Sequence, residues 1–308
     1  MRVVFLGNHT VGTTVLRTMA ETDEVAGVVA HPPDAEDGVR YESVAGLAAE
    51  RGWNVVRGRA KDPAVERFVV ECRPDLLWIT DYRYLLPKSL LDVAPLGTVN
   101  LHPSLLPKFR GRAPVNWAIL HGESELGLTA HFVEEGMDTG DIIAQKRFTL
   151  SEDQDVGDAL RMLYPIYSAI TREVLGMFRA GQVPRIRQDH AQATAFPRRT
   201  PDDGLIDWSQ PARAIFNLVR AVASPYPGAF TSLDENKLII WKARWLPERA
   251  DRKGRPGEVL ACGDGAVLIQ CGDGVLQATK VEGPTASLCE GVVLGSASGM
   301  RSKVGHGE

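Results

Sequence analysis

Short apolar runs alternate with stretches of helical period through the first half of the chain. Residues 3–6 run without a polar position, which predicts a strand buried on both faces, and residues 13–20 repeat apolar side chains at helical spacing behind it. The same alternation predicts strands at 25–30, 53–56 and 76–80, and helices at 43–51, closed by Gly52, and at 63–72. Strand and helix in alternation imply a parallel sheet covered on both faces. Right-handed crossovers would then leave the functional loops beyond the strand carboxyl ends.

The pattern changes twice downstream. A helical stretch at 156–179 is stopped by Gly181 and Pro184, and Pro165 inside it predicts a kink or a break. Residues from about 188 to 201 lose periodicity and read as a linker, before a further helix at 211–223. Five short strand candidates follow at 229–233, 238–243, 257–262, 266–271 and 275–281, with Asp264-Gly265 and Asp273-Gly274 as hairpin signals. Strands this short and this regularly spaced predict a small β-barrel. Residues 295–308, rich in glycine and serine, read as a frayed end. The fold class is therefore α/β: a Rossmann-like, mostly parallel sheet with helices on both faces, then a small OB-like barrel. The expected division is a catalytic domain at 1–190, a linker at 191–204 and a barrel domain at 205–308.

Composition narrows the function classes. The 308 residues suffice for two cores. A formal charge of −4 offers polyanions no general attraction. The four cysteines, Cys72, Cys262, Cys271 and Cys289, contain no CxxC pair, so neither zinc nor a disulfide framework is expected. The opening run Met1 to Gly7 is too short for a secretory signal, and no later run approaches the ~18 apolar residues of a membrane span. A soluble, cytoplasmic protein is expected.

Two segments carry candidate chemistry. In the first, Val99-Asn100-Leu101-His102, a strand period of two puts Asn100 and His102 on one face, so an amide and an imidazole emerge together at a strand end. Pro103 and Pro107 stiffen the loop that follows. In the second, Gly136-Met137-Asp138-Thr139-Gly140-Asp141, two glycines flank a tight loop that presents a carboxylate, a suitable partner for a histidine. The Asp-Thr-Gly string also occurs in aspartic proteases, but the chain holds no second copy to supply their paired carboxylate. On spacing alone a structural role for these residues stays open. Gly7-Asn8-His9-Thr10-Val11-Gly12-Thr13-Thr14 has phosphate-loop glycine spacing, but Thr13 stands where such a loop needs lysine. Asn8 and His9 are left either to line a pocket at the sheet edge or to shape their loop.

The stretch NLHPSLLPKFRGRAP at 100–114, followed by GMDTGDI at 136–142, resembles the signature of the folate-dependent formyltransferases, whose fold is that of methionyl-tRNA formyltransferase. The resemblance continues through Arg198 to Asp203, Ile206-Asp207-Trp208, Arg220-Ala221 and Pro225 to Ala229, which match the junction and C-terminal barrel of that family. It implies that Asn100, His102 and Asp138 are catalytic and that N10-formyltetrahydrofolate is the co-substrate, with no metal. Asn100 would donate to the developing oxyanion, His102 would exchange protons with the amine and the departing folate nitrogen, and Asp138 would orient and support the imidazole. It also implies a folate pocket lined by Tyr84, Leu85, Leu86, Ser104, Leu105, Leu106, Gly111, Glu134, Glu135, Gly136 and Met137. Read from the residues alone, Leu85-Leu86-Pro87 fits a buried helix start equally well.

The acceptor is read from finer likeness. Members that act on transfer RNA carry a basic loop after the second strand; here residues 31–40 hold Asp34, Glu36 and Asp37 against Arg40. Residues 1–204 sum to −5 and the remainder to +1, so neither part is a basic surface. Tyr41 to Ala45, Gly111 to Trp117 and Arg199 to Asp203 resemble the formyltransferases of UDP-4-amino-4-deoxy-L-arabinose type. That likeness implies a nucleotide-linked amino sugar as acceptor. The fused decarboxylase domain of some such proteins is not expected here. Methionyl-tRNA, hydroxyornithine in siderophore synthesis, or water in a formyltetrahydrofolate hydrolase remain the alternatives. A non-catalytic folate- or sugar-binding protein is disfavoured by the intact trio. Small molecules, rather than nucleic acid or membrane, are the expected partners, and a homodimer is left open.

Overall fold

The computed structural model describes residues 1–35, 37–38, 41–234, 236–247, 254–263 and 265–295. The expected frayed end from 296 onward, Asp264 of one turn signal, and Glu36 and Arg40 of the acidic loop lie outside these residues.

The chain divides into two compact units. One comprises Met1–Pro114, Glu125–Thr149 and Leu160–Pro197; the other comprises Val115–Ser124, Leu150–Ala159 and Arg198–Glu308. In chain order the elements up to the junction are β1 (Arg2–Gly7), α1 (His9–Met19), β2 (Glu24–Ala30), α2 (Val44–Glu50), β3 (Val55–Arg57), α3 (Pro63–Glu71) and β4 (Leu76–Thr80). They continue with α4 (Lys88–Leu91), β5 (Thr98–His102), β6 (Arg110–Gly111), α5 (Pro114–Leu120), β7 (Glu125–Phe132), β8 (Ile142–Thr149), α6 (Val156–Ala180) and β9 (Ala195–Phe196). Helix α6 is one continuous helix that tolerates Pro165 in its interior.

Seven strands form the first sheet in the order β3-β2-β1-β4-β5-β7-β8. The first five are parallel, and β7 and β8 are antiparallel. All five residues of β4 are buried, as are Val3 to Gly7 of β1, because helices cover both faces of these central strands. Val4, Leu6, Val29, Leu77 and Ile79 pack with Val65 and Val69 of α3 on one side. Chain order reverses between β1 and β4: from β1 the chain steps outward to β2 and β3, then returns to β4. Such a reversal opens a crevice at the carboxyl ends of the two strands.

The stretch expected as a linker carries fixed structure near its start. Strand β9 pairs with β6, Thr194 accepts a 2.8 Å hydrogen bond from the Phe109 N–H through its hydroxyl, and the Phe109 and Phe196 rings stack at 5.5 Å. Gly111 of β6 has φ +92°, and a Cβ there would collide with the Phe196 carbonyl.

The second unit holds α7 (Ala212–Ala221) and the strands β10 (Ala229–Leu233), β11 (Asn236–Leu246), β12 (Val259–Gly263), β13 (Ala266–Gln270) and β14 (Val275–Glu282). They form one antiparallel sheet, ordered β10-β11-β14-β13-β12. Among the described residues β10 and β12 do not pair with each other, so the barrel-like sheet is open. Its core gathers Trp208, Ile215, Phe216, Val219, Leu238, Ile240, Val259, Ile269 and Leu276.

Candidate active site

Strand β5 ends at His102, and its pleat sends Asn100 and His102 to the same face. The antiparallel neighbour β7 sets Asn100 opposite His131, and His102 opposite Thr129. The loop from β7 to β8 returns Asp138 over this edge, with its backbone in the left-handed region at φ +53°. The three residues picked from the sequence therefore come together.

Ring tautomers follow from the carbonyls. His102 Nε2 lies 2.8 Å from the Phe109 carbonyl, which can only accept, so Nε2 carries a hydrogen and Nδ1 is the ring's basic atom. That Nδ1 faces Asp138 Oδ2 at 3.6 Å. His131 Nδ1 donates to the Phe132 carbonyl at 2.8 Å, and its Nε2 lies 3.1 Å from the Asn100 amide nitrogen and 3.6 Å from Asp138 Oδ1. That contact sets the orientation of the Asn100 amide on the strand face.

The electrostatics favour a neutral imidazole beside a charged carboxylate. Burial pushes the Asp138 carboxyl up, but His102, His131 and the 2.9 Å hydrogen bond from the Gly111 N–H together outweigh it and hold the group well below the usual carboxylate range. His102 is lowered from its ordinary value, first by burial, with His131 and Arg110 adding to the effect; Asp138 and the Phe109 carbonyl oppose it. A proton arriving at Nδ1 would land next to the Asp138 carboxylate, which stabilises it.

Two residues that the sequence reading passed over belong to this geometry. His131 holds Asn100, as above. Gln188, buried in the stretch read as the start of the linker, donates to the carbonyls of Asp138 (2.8 Å) and Gly140 (2.7 Å). Its own carbonyl accepts from Arg110 Nε and Nη2 at 3.2 and 2.5 Å, and Arg110 Nη2 also meets His190 Nδ1 at 2.9 Å. The left-handed Asp138 is fastened from behind by one amide. The Ser104-to-Gly111 loop is fixed as firmly: Thr129 donates to the Ser104 carbonyl, and Gln145 donates to the Leu106 carbonyl.

The expected pocket residues fall into two groups. Ser104 and Leu106 are buried, and the Ser104 hydroxyl donates to the Lys108 carbonyl, so their side chains serve the loop itself. Leu105, Gly111, Tyr84 and Leu86 are half-buried, whereas Glu134, Glu135 and Gly136 are exposed. Leu85 and Met137 are large apolar side chains left 67% and 49% exposed. Among the described residues, the peptide groups of Tyr84, Leu85 and Leu86 take no hydrogen bond from the rest of the chain. No cluster of His, Cys, Asp or Glu suited to a metal occurs among the described residues, and no helix there is long and apolar enough to cross a membrane.

Comparison with known proteins converges on one family. Residues 1–163 match formyl transferase, and residues 198–292 match formyl transferase, C-terminal domain. Among solved structures, an N-formyltransferase from Helicobacter canadensis in complex with folinic acid and dTDP-3-aminofucose is similar, at 17% identity and TM-score 0.71 over 90% of this chain and 98% of that one. WlaRD, a sugar 3N-formyl transferase crystallised with dTDP and 5-N-formyl-THF, is similar at 18% identity and TM-score 0.68, over 90% and 97%. Methionyl-tRNA formyltransferase from Clostridium thermocellum is similar at 18% identity and TM-score 0.56, over 80% and 94%.

Proposed function

The chain belongs to the formyl transferase family, and from that membership we propose that it carries a formyl group from N10-formyltetrahydrofolate to the amine of a nucleotide-linked amino sugar. The observation that carries the chemistry is the basic nitrogen of a buried, neutral imidazole facing a buried, ionised carboxylate, with an oriented amide on the same strand face.

The residues fit a folate at the edge of β4 and β5. Open peptide groups at Tyr84, Leu85 and Leu86 match the donor and acceptor edge of a pterin, and the exposed Leu85 and Met137 offer it apolar cover. When bound, the folate supplies a formyl group on a nitrogen able to leave. As the acceptor amine forms its new C–N bond, Asn100 donates an amide hydrogen to the formyl oxygen, a contact worth about 3–4 kcal/mol in comparable sites. His102 Nδ1 takes the proton released by the amine, and Asp138 stabilises the imidazolium. His102 then returns that proton to the departing nitrogen as its bond to the formyl carbon breaks. Asn100, His102 and Asp138 are the catalytic residues of this reading, and His131 and Gln188 position them.

The acidic loop supports the small-molecule acceptor. Among the described residues, two cations beside it are paired: Arg57 with Asp37 at 2.8 Å and Arg17 with Glu42 at 2.6 Å. Phosphates of a nucleic acid would find those two neutralised. The folate complexes of the two sugar N-formyltransferases named above, which share this fold, point the same way. Incubation with formyltetrahydrofolate and a panel of amines tests the proposal. Turnover is expected to depend on a nucleotide-linked amino sugar. Equal turnover with no amine would identify a hydrolase, and transfer to methionyl-tRNA or hydroxyornithine would replace the acceptor assignment.

A further inference from the structure

Left-handed backbone recurs at the carboxyl edge of the first sheet. Among the described residues, seven non-glycine positions have positive φ: His9, Arg73, Asp81, Phe109, Ala113, Asp138 and Asp234. Phe109 and Asp138 both contact His102 of the candidate active site. His9 (φ +57°) and Asp81 (φ +56°) lie just beyond the carboxyl ends of β1 and β4, on the two strands that flank the reversal of chain order. A histidine in this conformation costs about 1 kcal/mol or more, and such positions persist where a site requires them.

The strain serves a specific contact. Gly7 of β1 is paired with Thr80 of β4, so the residues following each strand end meet. There His9 Nδ1 reaches Asp81 Oδ2 at 2.7 Å, with side chains that remain 39% and 45% exposed. The Tyr41 ring lies 4.5 Å from the His9 ring. Behind them His31 is only 4% exposed; its Nε2 accepts from the Arg83 N–H at 3.1 Å, and its Nδ1 has no partner. Tyr82 and Tyr84 enclose that ring at 5.2 and 5.4 Å. Thr80 pairs in turn with Leu101 of β5, so this cluster is one strand spacing, about 5 Å, from the strand that carries His102.

The chemistry of the exposed pair is selective. His9 Nδ1 and one Asp81 oxygen hold each other at 2.7 Å, which leaves His9 Nε2 and the second Asp81 oxygen for a ligand. A ring nitrogen and a carboxylate oxygen beside an aromatic ring suit the hydroxyls of a ring whose C–H face packs against Tyr41, since a hydroxyl can both donate and accept. A phosphate brings only acceptors and negative charge, and the Asp81 carboxylate opposes it. We infer that His9, Asp81 and Tyr41 form the subsite that holds the hydroxylated sugar ring of the acceptor and delivers its amine to His102; this rests on the formyl-transfer reading above.

The test uses the full chain and two variants that keep the left-handed backbone accessible, His9→Asn and Asp81→Asn, each checked for an unchanged melting temperature. With a nucleotide-linked amino sugar as acceptor, both are expected to raise its KM at least tenfold, with the effect on KM rather than kcat. The affinity for folinic acid, read by calorimetry, should stay within twofold. The imidazole signals of His9 in the wild-type protein should move on addition of a dTDP-linked 3-amino sugar and not on addition of dTDP alone. An unchanged acceptor KM overturns the inference. So does a loss confined to folinic acid affinity, which would assign the pair to the donor. If the wild-type protein formylates no amino sugar, the proposed function fails on its own, and the His9 signals still decide here: a response absent, or equal with dTDP alone, rejects a sugar-ring subsite.

Discussion

Two clusters share the carboxyl edge of the seven-stranded sheet, and they are built in opposite ways. Around His102 the groups are closed in: ring nitrogens face carbonyls, the Asp138 loop is held by Gln188, and Thr129 and Gln145 tie down the adjoining loop. Around His9 the central His9–Asp81 contact stands half exposed beside an aromatic ring, with a buried histidine behind it. A group that moves protons gains from a fixed, dry setting, where charges interact strongly. A group that recognises a substrate must meet it at the surface. The difference separates chemistry, which tolerates little change, from recognition, which can be retuned by a few side chains.

The largest effects are therefore expected at the closed cluster. His102→Ala should reduce kcat by three orders of magnitude or more, roughly 4 kcal/mol, while folinic acid binding is preserved. Near-wild-type turnover would remove the proton-transfer role. Asp138→Asn keeps the shape and removes the charge that raises the His102 pKa. Activity should fall, and the acid limb of kcat/KM should move to lower pH, since an imidazole without its carboxylate holds its proton less tightly. An unmoved acid limb would contradict the pairing. Asn100→Ala comes next, with an expected loss of about 100- to 1,000-fold in kcat, the range for removing one oxyanion donor. A KM effect alone would show that Asn100 serves ground-state binding instead.

Much of this was legible in the chain, for a physical reason. Strands β1, β2 and β4 are buried on both faces and read as continuous apolar runs, and β4 lies at the predicted 76–80. Helix α1 begins four residues earlier than its apolar period, because polar Asn8, His9 and Thr10 conceal the start. The antiparallel pair β7 and β8 was not anticipated. A nine-residue loop separates the two strands, so no short turn announces a hairpin. His131 matters only through its register opposite Asn100, and Gln188 only through contacts with residues 48 to 78 positions away. No local pattern encodes either. Strand period placed Asn100 and His102 together, whereas the family likeness brought in Asp138.

The open cluster leaves its mark on stability more than on catalysis. His31 is pushed down to about 4, first by burial and then by Arg83, His9 and Arg112 acting against Asp81. A depressed folded value means that the unfolded chain binds the proton more readily. The associated stability is therefore complete above about pH 6.5 and is lost as pH falls from there toward 4. With allowance for solvent screening it amounts to roughly 2 kcal/mol. In His31→Gln, urea midpoints at pH 7 and pH 4.5 should differ less than in the wild-type protein. An identical pH dependence would show that His31 is not held neutral.

The smallest effect sharpens the contrast from behind the closed cluster. Gln188 touches no reacting atom, yet its amide joins the Asp138 and Gly140 carbonyls to Arg110. Gln188→Ala should lower kcat about tenfold, or 1.4 kcal/mol, through a carboxylate free to drift from His102. Folinic acid affinity should hold. Gln188→Glu keeps an acceptor for Arg110 but sets a carboxylate against two carbonyls, so it should rescue little. The decisive readout is the acid limb of kcat/KM, which should shift in the same direction as in Asp138→Asn and by less. A Gln188 variant that loses melting temperature while keeping the wild-type pH profile would make the amide a support of the fold alone, and the closed cluster would then end at Asp138 itself.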